Sequence, residues 1–326
     1  MPNASFESNL DALASADAGT LVAVSSWLGD QGIACVKKEM AGVLGMQRLT
    51  DLKPCDAVRK GLATTAHEQA SLLTTHRFYH AQTAMFAAEA ERYTRVIAAA
   101  DFGAMERFAD ASRYELREGL RDLLNDALVL LEQAAACVLK CPGVYGAWRT
   151  GFDMPFEIYK AAEQMTYGRY SLLTHIDRAP FVGIAILRVA IETRLRAAFR
   201  VYAYEDSANQ RIVPISMTDV LAAIELHCPS AVFAVDRHDI AKIYRWSNFY
   251  LHAGRRDFIW TTGYVLQYLR PFVSGVRQPG GAWSIDNGVL VPRAEWEAVQ
   301  QHFVAEAKPG RVFPVSPSAD AACTIV

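Results

Sequence analysis

The stretch between Pro54 and Pro142 contains no proline and few glycines, and this feature most constrains what the chain can fold into. Proline breaks a helix interior and glycine weakens it, whereas this stretch is rich in Ala, Leu and Glu, which favour helix. The tripeptide Asp101-Phe102-Gly103 interrupts the pattern. We therefore expect one helix over residues 56–100, capped by Asp56, and a second helix that ends at Lys140.

Large apolar side chains recur along both predicted helices at helical spacing, so each helix has a stripe that must be buried. A short turn between the helices makes an antiparallel helical hairpin over residues 56–140 the simplest arrangement. Each helix would have about 40 residues and a length of about 60 Å. The stripe residues are Val58, Thr65, Leu72, Tyr79, Phe86 and Tyr93 in the first helix and Leu116, Leu120, Leu123, Ala127, Leu130 and Ala134 in the second.

The composition is that of a soluble globular protein. Hydrophobic residues make up 52% of the chain and charged residues 21%, with 33 Lys and Arg against 35 Asp and Glu. This balance excludes a disordered tail and a strongly basic nucleic-acid coat, and it gives no general attraction for anionic membranes. No apolar stretch is long enough to cross a bilayer, and the N-terminus lacks a secretory-signal pattern. Six irregularly spaced cysteines suit a reducing compartment, so we expect a cytoplasmic protein without membrane association.

We expect an all-α protein of two domains, a helical scaffold over residues 1–150 and a second helical domain over residues 151–326. Two or three short helices are expected before Pro54. Near the end, Asn287-Gly288 between two short apolar runs predicts a small β-hairpin, because Asn-Gly favours the tight hairpin turn. The tail from residue 314 onward is expected to be loose. The helices predicted in the second domain cover residues 154–174, 180–203, 217–227, 236–253, 257–268 and 292–303.

The helix predicted over residues 236–253 has one apolar face and one polar face. Arg245 and His252 are seven residues, or two turns, apart, so their side chains point in the same direction, and Asn248 lies between them. Asp236 is the predicted N-cap. The apolar face comprises Ile240, Ile243, Tyr244, Trp246, Tyr250 and Leu251, and His238 joins the polar face.

An arginine, an amide and a histidine on one exposed face suit phosphodiester chemistry. Histidine accepts or donates a proton near neutral pH, and arginine supplies fixed charge and paired donors for the transition-state oxygens. In RNA the adjacent 2′-hydroxyl is a built-in nucleophile, so no metal is required. The competing interpretation is an ordinary solvated helix face, on which Arg, Asn and His are common.

The segment Arg245-Trp-Ser-Asn-Phe-Tyr-Leu-His252 resembles the Arg-x(4–6)-His motif of HEPN domains, which are small all-α modules. The layout over residues 154–275 is also similar, with an earlier polar helix, a variable connection, the motif helix and a closing helix. The resemblance implies a HEPN-like helical bundle and a metal-independent endoribonuclease of the kind found in toxin–antitoxin and phage-defence systems, with no cofactor. The polar residues of the earlier helix are Arg188, Glu192 and Arg196.

The resemblance also assigns roles to the three polar residues. His252 would be the general acid or base, Arg245 would stabilise the transition state, and Asn248 would orient the substrate. RNA would be the partner, and two chains would form a homodimer through the helix at 236–253.

A non-enzymatic helical interaction or adaptor protein is the alternative. In that case the hairpin at 56–140 would bind a protein partner through stripe residues such as Leu72 and Phe86. Arg245 and His252 would then be a dimer contact or plain surface.

Other candidate residues carry weaker signals. His76 and His80 lie one helical turn apart, a spacing that can hold a metal ion, but a third ligand is lacking and a buried, hydrogen-bonded histidine is expected at His76. Cys137 and Cys141 have no second pair and are expected to be packing residues. The sequence Cys323-Thr-Ile-Val has the outline of a prenylation box, but the upstream residues lack the usual basic charge, which favours chance.

Overall fold

The fold is taken from a computed structural model, which describes residues 4–13, 18–65, 68, 71–100, 109–139, 179–206, 211–253, 258–274, 276–277, 283–284, 288–315 and 321–326. The described residues are mostly helical and also form small sheets. None of the helices among them combines the length and apolar character that a membrane span requires. The helix predicted at 154–174 and the domain boundary near residue 150 lie outside the described residues.

The chain divides into two compact units, each built from more than one segment. Unit 1 comprises residues 1–185 and 245–265, and unit 2 comprises residues 186–244 and 266–326.

Unit 1 is helical in its described residues. Two or three short helices were expected before Pro54, and the structure has three, of which the second and third are joined by a π-helical turn at Leu28–Gly32. Unit 1 also contains the beginnings of helices α7 (Ala179–Phe199) and α10 (Ile259–Ser274) and the end of helix α9 (Arg237–Ala253). Its complete helices are α1 (Ala4–Ala12), α2 (Ala18–Trp27), α3 (Ile33–Val43), α4 (Pro54–Gly61), α5 (His76–Ala99) and α6 (Ala109–Leu139).

The expectation of one helix over residues 56–100 is wrong, because the chain leaves the helix after Gly61 and α5 begins only at His76. Pro54 is the first helical residue and Lys53 occupies the cap position predicted for Asp56. Thr65-Ala-His-Glu68 matches the capping-box pattern, which marks a helix start rather than a helix interior. The Glu68 amide donates to Thr65 Oγ1 at 3.0 Å, and the Glu68 carboxylate accepts from the Thr64 amide at 2.8 Å.

Helix α5 is the centre of unit 1 and packs against α2, α3, α4 and α6. Its 24 residues and the 31 residues of α6 correspond to about 36 Å and about 46 Å. The stripe residues Tyr79 and Phe86 are fully buried, as expected. Residues 101–108, which join α5 to α6, lie outside the described residues, so the antiparallel hairpin stays a prediction.

A buried amide links three helices of unit 1. Gln82 on α5 donates from Nε2 to the carbonyl of Gly61, at the end of α4, over 2.9 Å. Its Oε1 accepts from the indole of Trp260 at 2.9 Å and from the hydroxyl of Thr261 at 3.4 Å, both on α10. Phe86 packs edge-on against the Trp260 ring, with centroids 5.4 Å apart. The amide therefore satisfies a helix-end carbonyl and an indole that would otherwise be buried without partners.

Unit 2 combines helices with three small sheets. The strand orders are β2-β1-β7, β3-β6-β8 and β4-β5, and every pair is antiparallel except β6 with β8. Its helices, some of which extend into unit 1, are α7 (Ala179–Phe199), α8 (Met217–His227), α9 (Arg237–Ala253), α10 (Ile259–Ser274) and α11 (Arg293–Ala305). Its strands are β1 (Ala203–Asp206), β2 (Ile212–Pro214), β3 (Val232–Phe233), β4 (Val276–Arg277), β5 (Trp283–Ser284), β6 (Val289–Val291), β7 (Arg311–Val312) and β8 (Thr324–Ile325).

The β-hairpin expected around Asn287-Gly288 is wrong. The flanking strands β5 and β6 both exist, but β5 pairs with β4 and β6 pairs with β3 and β8. Gly288 has no positive φ, which the predicted tight turn needs. A Cβ at Gly288 would lie 3.0 Å from the carbonyl oxygen of Phe272 and 3.0 Å from the Arg194 guanidinium. Glycine at position 288 therefore permits the main chain there to approach the carbonyl of Phe272 and the side chain of Arg194 closely.

The expectation of a loose tail is wrong for its last residues, which are held by hydrogen bonds. Strand β8 pairs with β6, and the amide of Arg293 donates to the carbonyl of Val326 at 2.8 Å. Cys323 is buried, and its thiol donates to the carbonyl of Ala198 at 3.1 Å. The side chain that a prenylation box would modify thus lies inside unit 2.

The C-terminal end of α7 explains why the tail is held. Helix ends leave carbonyls without partners in the helix. Here the Ala198 carbonyl accepts from the Trp296 indole at 3.0 Å as well as from Cys323, and the Phe199 carbonyl accepts from Gln300. Arg200 adopts a φ of 55°, the left-handed conformation that ends helices, so α7 stops short of the predicted residue 203.

Glu89 is a buried carboxyl group in unit 1, only 3% exposed, and burial raises its pKa despite a 2.7 Å hydrogen bond from Arg92. Its carboxylate lies against α10, where a Cβ at Gly263 would approach Oε2 to 2.7 Å. No larger residue fits at position 263 without displacing this carboxylate.

We expect the free energy of unfolding of Glu89→Gln to rise relative to that of wild type as the pH increases above about 4.5, the ordinary pKa of Glu. Below that pH the carboxyl is protonated in both states, and above it the unfolded state loses its proton first, which destabilises the native state. Urea unfolding from pH 4 to 8 measures the difference. Glu91→Gln, at an exposed position on the same helix, is the control. A difference for Glu89→Gln that stays constant with pH would contradict the expectation.

Candidate functional site

Helix α9 carries the predicted site, and its start was predicted correctly. The Asp236 carboxylate accepts from the His238 amide at 2.8 Å, which confirms Asp236 as the N-cap. The helix runs regularly from Arg237 to Ala253. A regular helix turns by 100° per residue, so residues seven apart return to the same face.

The three residues of the predicted site lie in the second half of α9. Arg245 and His252 are exposed, and Asn248 is half-buried. All three belong to the part of α9 that is in unit 1. The three residues are therefore on one strip of the helix, and the side chains of Arg245 and His252 are exposed to solvent.

The opposite face of this part of α9 is buried. Trp246 is 1% exposed, Tyr250 is 7% exposed, and their rings contact each other with centroids 5.7 Å apart. Ser247 is completely buried. Leu251, which the sequence placed on the apolar face, is 40% exposed, so the buried face is narrower than expected.

The part of α9 in unit 2 is held to α7 by a polar network that sequence reasoning missed. The Tyr244 hydroxyl donates to Glu192 Oε1 at 3.0 Å and accepts from Arg188 at 3.1 Å. Arg188 also binds Glu192 at 2.9 Å, and its guanidinium lies 5.2 Å from the centre of the Tyr244 ring. Burial, with Glu192 beside it, raises the pKa of Tyr244, so its hydroxyl remains a donor.

A second contact holds the first turn of α9. Asp239 is completely buried, and one of its oxygens accepts from the Tyr268 hydroxyl at 2.5 Å. Asp239 falls on the same face as Ile243 and Trp246, four and seven residues later, and this position in the helical period is the sequence signal that could have identified it.

All three polar residues singled out on α7 have structural partners. Arg188 and Glu192 belong to the network with Tyr244. Arg196 donates to the carbonyls of Tyr202 at 2.8 Å and Ile215 at 2.5 Å. It therefore fastens the end of α7 to the chain that follows.

Arg245 and His252 are widely separated along the axis of α9, so one chain alone does not hold both side chains close to a single phosphate. Seven residues correspond to about 10 Å of rise along the axis. Because helical side chains lean toward the N-terminus, His252 leans toward Asn248, whereas Arg245 leans away from His252. The arrangement suits a phosphate that bridges two such helices better than a phosphate that is held by one.

The remaining candidates are not assembled into a site. His76 is exposed, so the expectation that it is buried is wrong, and the His80 ring lies 2.6 Å from the carbonyl of Thr50. Among the described residues, no three His, Cys, Asp or Glu side chains come together as a metal centre with three protein ligands would require. Cys141 lies outside the described residues, and Cys137 is half-buried.

The hairpin residues proposed to bind a protein partner are not on the surface. Leu72 is 3% exposed and Phe86 is fully buried. A charge at either position would disrupt the core of unit 1 and would not report on a docking surface.

No protein-family model, curated protein or solved structure matches this chain.

We expect truncation to lower the free energy of unfolding at a buried position of α9 and to leave it nearly unchanged at two exposed positions. Trp246→Ala should lower the free energy of unfolding by about 3–5 kcal/mol, because it empties a fully buried site. Arg245→Ala and His252→Ala should change it by no more than about 0.5 kcal/mol, because both side chains are exposed. Urea unfolding followed by circular dichroism measures all three. A loss for Arg245→Ala as large as that for Trp246→Ala would place the arginine in the core.

Proposed function

We propose that this protein is a metal-independent endoribonuclease of the HEPN type, with Arg245, Asn248 and His252 as its site. The observation that supports the proposal is the exposure of Arg245 and His252 on one face of α9, while Trp246 and Tyr250 on the other face are buried. The buried face fixes the rotation of this part of the helix, so the site residues are presented without a conformational change.

The proposed reaction uses the 2′-hydroxyl of RNA as the nucleophile. Its oxygen forms a bond to phosphorus while the bond to the 5′-oxygen breaks, leaving a 2′,3′-cyclic phosphate and a 5′-hydroxyl. His252 accepts the proton of the attacking hydroxyl, and the leaving 5′-oxygen takes a proton from the resulting imidazolium or from water. Arg245 donates to the phosphoryl oxygens, where negative charge accumulates. Asn248 orients the ribose or the phosphate.

The proposal includes a homodimer through the helix predicted at 236–253. The midpoint between residues 245 and 252 falls between Asn248 and Phe249. A two-fold axis at that midpoint, with the two copies of α9 antiparallel, would bring Arg245 of one chain opposite His252 of the other. Such a dimer overcomes the separation of about 10 Å within one chain and forms two equivalent sites.

We expect the purified protein to cleave single-stranded RNA in EDTA and to leave 2′,3′-cyclic phosphate ends. His252→Ala should lower the rate about 10²–10⁴-fold, and Arg245→Ala about 10²–10³-fold, because each removes a group that acts in the transition state. Cleavage is followed with an end-labelled RNA oligonucleotide, and the same oligonucleotide made of DNA should remain intact.

The matched control is His238→Ala, which removes another exposed histidine from the same helix and should leave the rate unchanged. His238 has carboxylate partners, Asp236 at 3.0 Å and Glu225 at 3.3 Å. Cleavage that survives both His252→Ala and Arg245→Ala would overturn the assignment, and so would an equal loss in His238→Ala.

A mixing experiment tests the dimer. After mild denaturation and refolding together, inactive Arg245→Ala and inactive His252→Ala chains should regain about a quarter of the wild-type activity. Half of the dimers would be mixed, and each mixed dimer would have one of its two sites complete. Light scattering on the same sample reports the mass. A refolded dimer without any regained activity would contradict the antiparallel arrangement, while the single-variant results would still decide the roles of the two residues.

A further inference from the structure

A pair of histidines in unit 2 is separate from the three site residues on α9 and has no part in the proposed function. His227 is the last residue of α8, and His302 is in the last turn of α11. His227 Nε2 and His302 Nδ1 are 3.2 Å apart, both rings are half-buried, and the ring centroids are 5.0 Å apart. Helices α8 and α11 pack against each other.

The separation of the two nitrogens fits a shared metal ion. A tetrahedral Zn²⁺ binds imidazole nitrogens at about 2.0–2.1 Å, which places two such nitrogens about 3.3 Å apart. The two nitrogens, which are within hydrogen-bond distance of each other, are therefore also at the separation that one shared ion requires. Imidazole is a good ligand for Zn²⁺, Cu²⁺ and Ni²⁺ and a poor one for Mg²⁺ or Ca²⁺, which prefer oxygen.

The helix ends around the pair favour a cation. The last turn of an α-helix carries partial negative charge from carbonyls without partners in the helix. His227 ends α8, and His302 is three residues from the end of α11, so two such helix ends meet at the pair.

The neighbouring thiol does not complete the ligand set. Cys228 follows His227 directly, but its Sγ faces the carbonyl of Glu295 at 3.7 Å. Cys228 is also fully buried, whereas both imidazole rings are half-buried. The half-buried position of both rings leaves the other coordination places to water.

We propose that His227 and His302 form a binding site for one divalent transition-metal ion, with zinc as the reference ion, that joins the ends of α8 and α11. Two protein ligands and water make the ion exchangeable. Bound metal stabilises the native state of unit 2, because the unfolded chain does not hold the two rings together.

Isothermal titration calorimetry with ZnCl₂ tests the site, using the full chain without a histidine tag and after EDTA treatment and dialysis. We expect one Zn²⁺ per chain, with at least tenfold weaker binding in His227→Gln and in His302→Gln. Glutamine retains a hydrogen-bonding group at each position and removes the imidazole. His238→Gln is the matched control and should bind like wild type. Unchanged binding in both His227→Gln and His302→Gln, or an equal loss in His238→Gln, would overturn the proposal.

A second measurement uses the unaltered protein and does not depend on the folding of a variant. Zn²⁺ at saturating concentration should raise the midpoint of thermal unfolding, and Mg²⁺ at the same concentration should not, because Mg²⁺ selects oxygen ligands. An equal rise with both ions, or no rise with Zn²⁺, would contradict an imidazole site.

Discussion

Burial of one face of α9 is the constraint on which the candidate site depends. In unit 2, Asp239 and Tyr244 bind the side chains of Tyr268 and Glu192, and this fixes the rotation of the first half of the helix. In unit 1, Trp246 is buried in the second half. A helix turns by a fixed angle per residue, so within each half the fixed apolar face also fixes the direction of the polar face.

The two faces of α9 differ in what they contribute to stability. Exposed residues such as Arg245 and His252 contribute little to stability, whereas the buried aromatic residues contribute several kcal/mol each. Substitutions at these two exposed positions therefore test the proposed site without disturbing the buried residues of the helix. The histidine pair in unit 2 differs, because its geometry depends on the packing of two helices that are distant in sequence.

Local sequence signals predicted elements well where a cap or a proline marks the end. Helix α8 begins and ends at the predicted residues 217 and 227, with Ser216 accepting from the Asp219 amide. The helix expected over residues 56–100 is interrupted after Gly61, the last residue of α4, and the capping box at residues 65–68 follows this glycine. Helix α7 ended early because Arg200 adopts a left-handed conformation that its sequence does not favour.

The sequence by itself determined the helical character of the chain and the two-faced pattern of α9, because both follow from contacts within a few residues. Only the tertiary structure decided the partners of the strands, the burial of Cys323 and the pairing of His227 with His302. These depend on residues up to 125 positions apart, as between Cys323 and Ala198. No local pattern encodes such a distance. The contact forms because carbonyls at the end of α7 need hydrogen-bond donors and the folded chain brings such donors beside them.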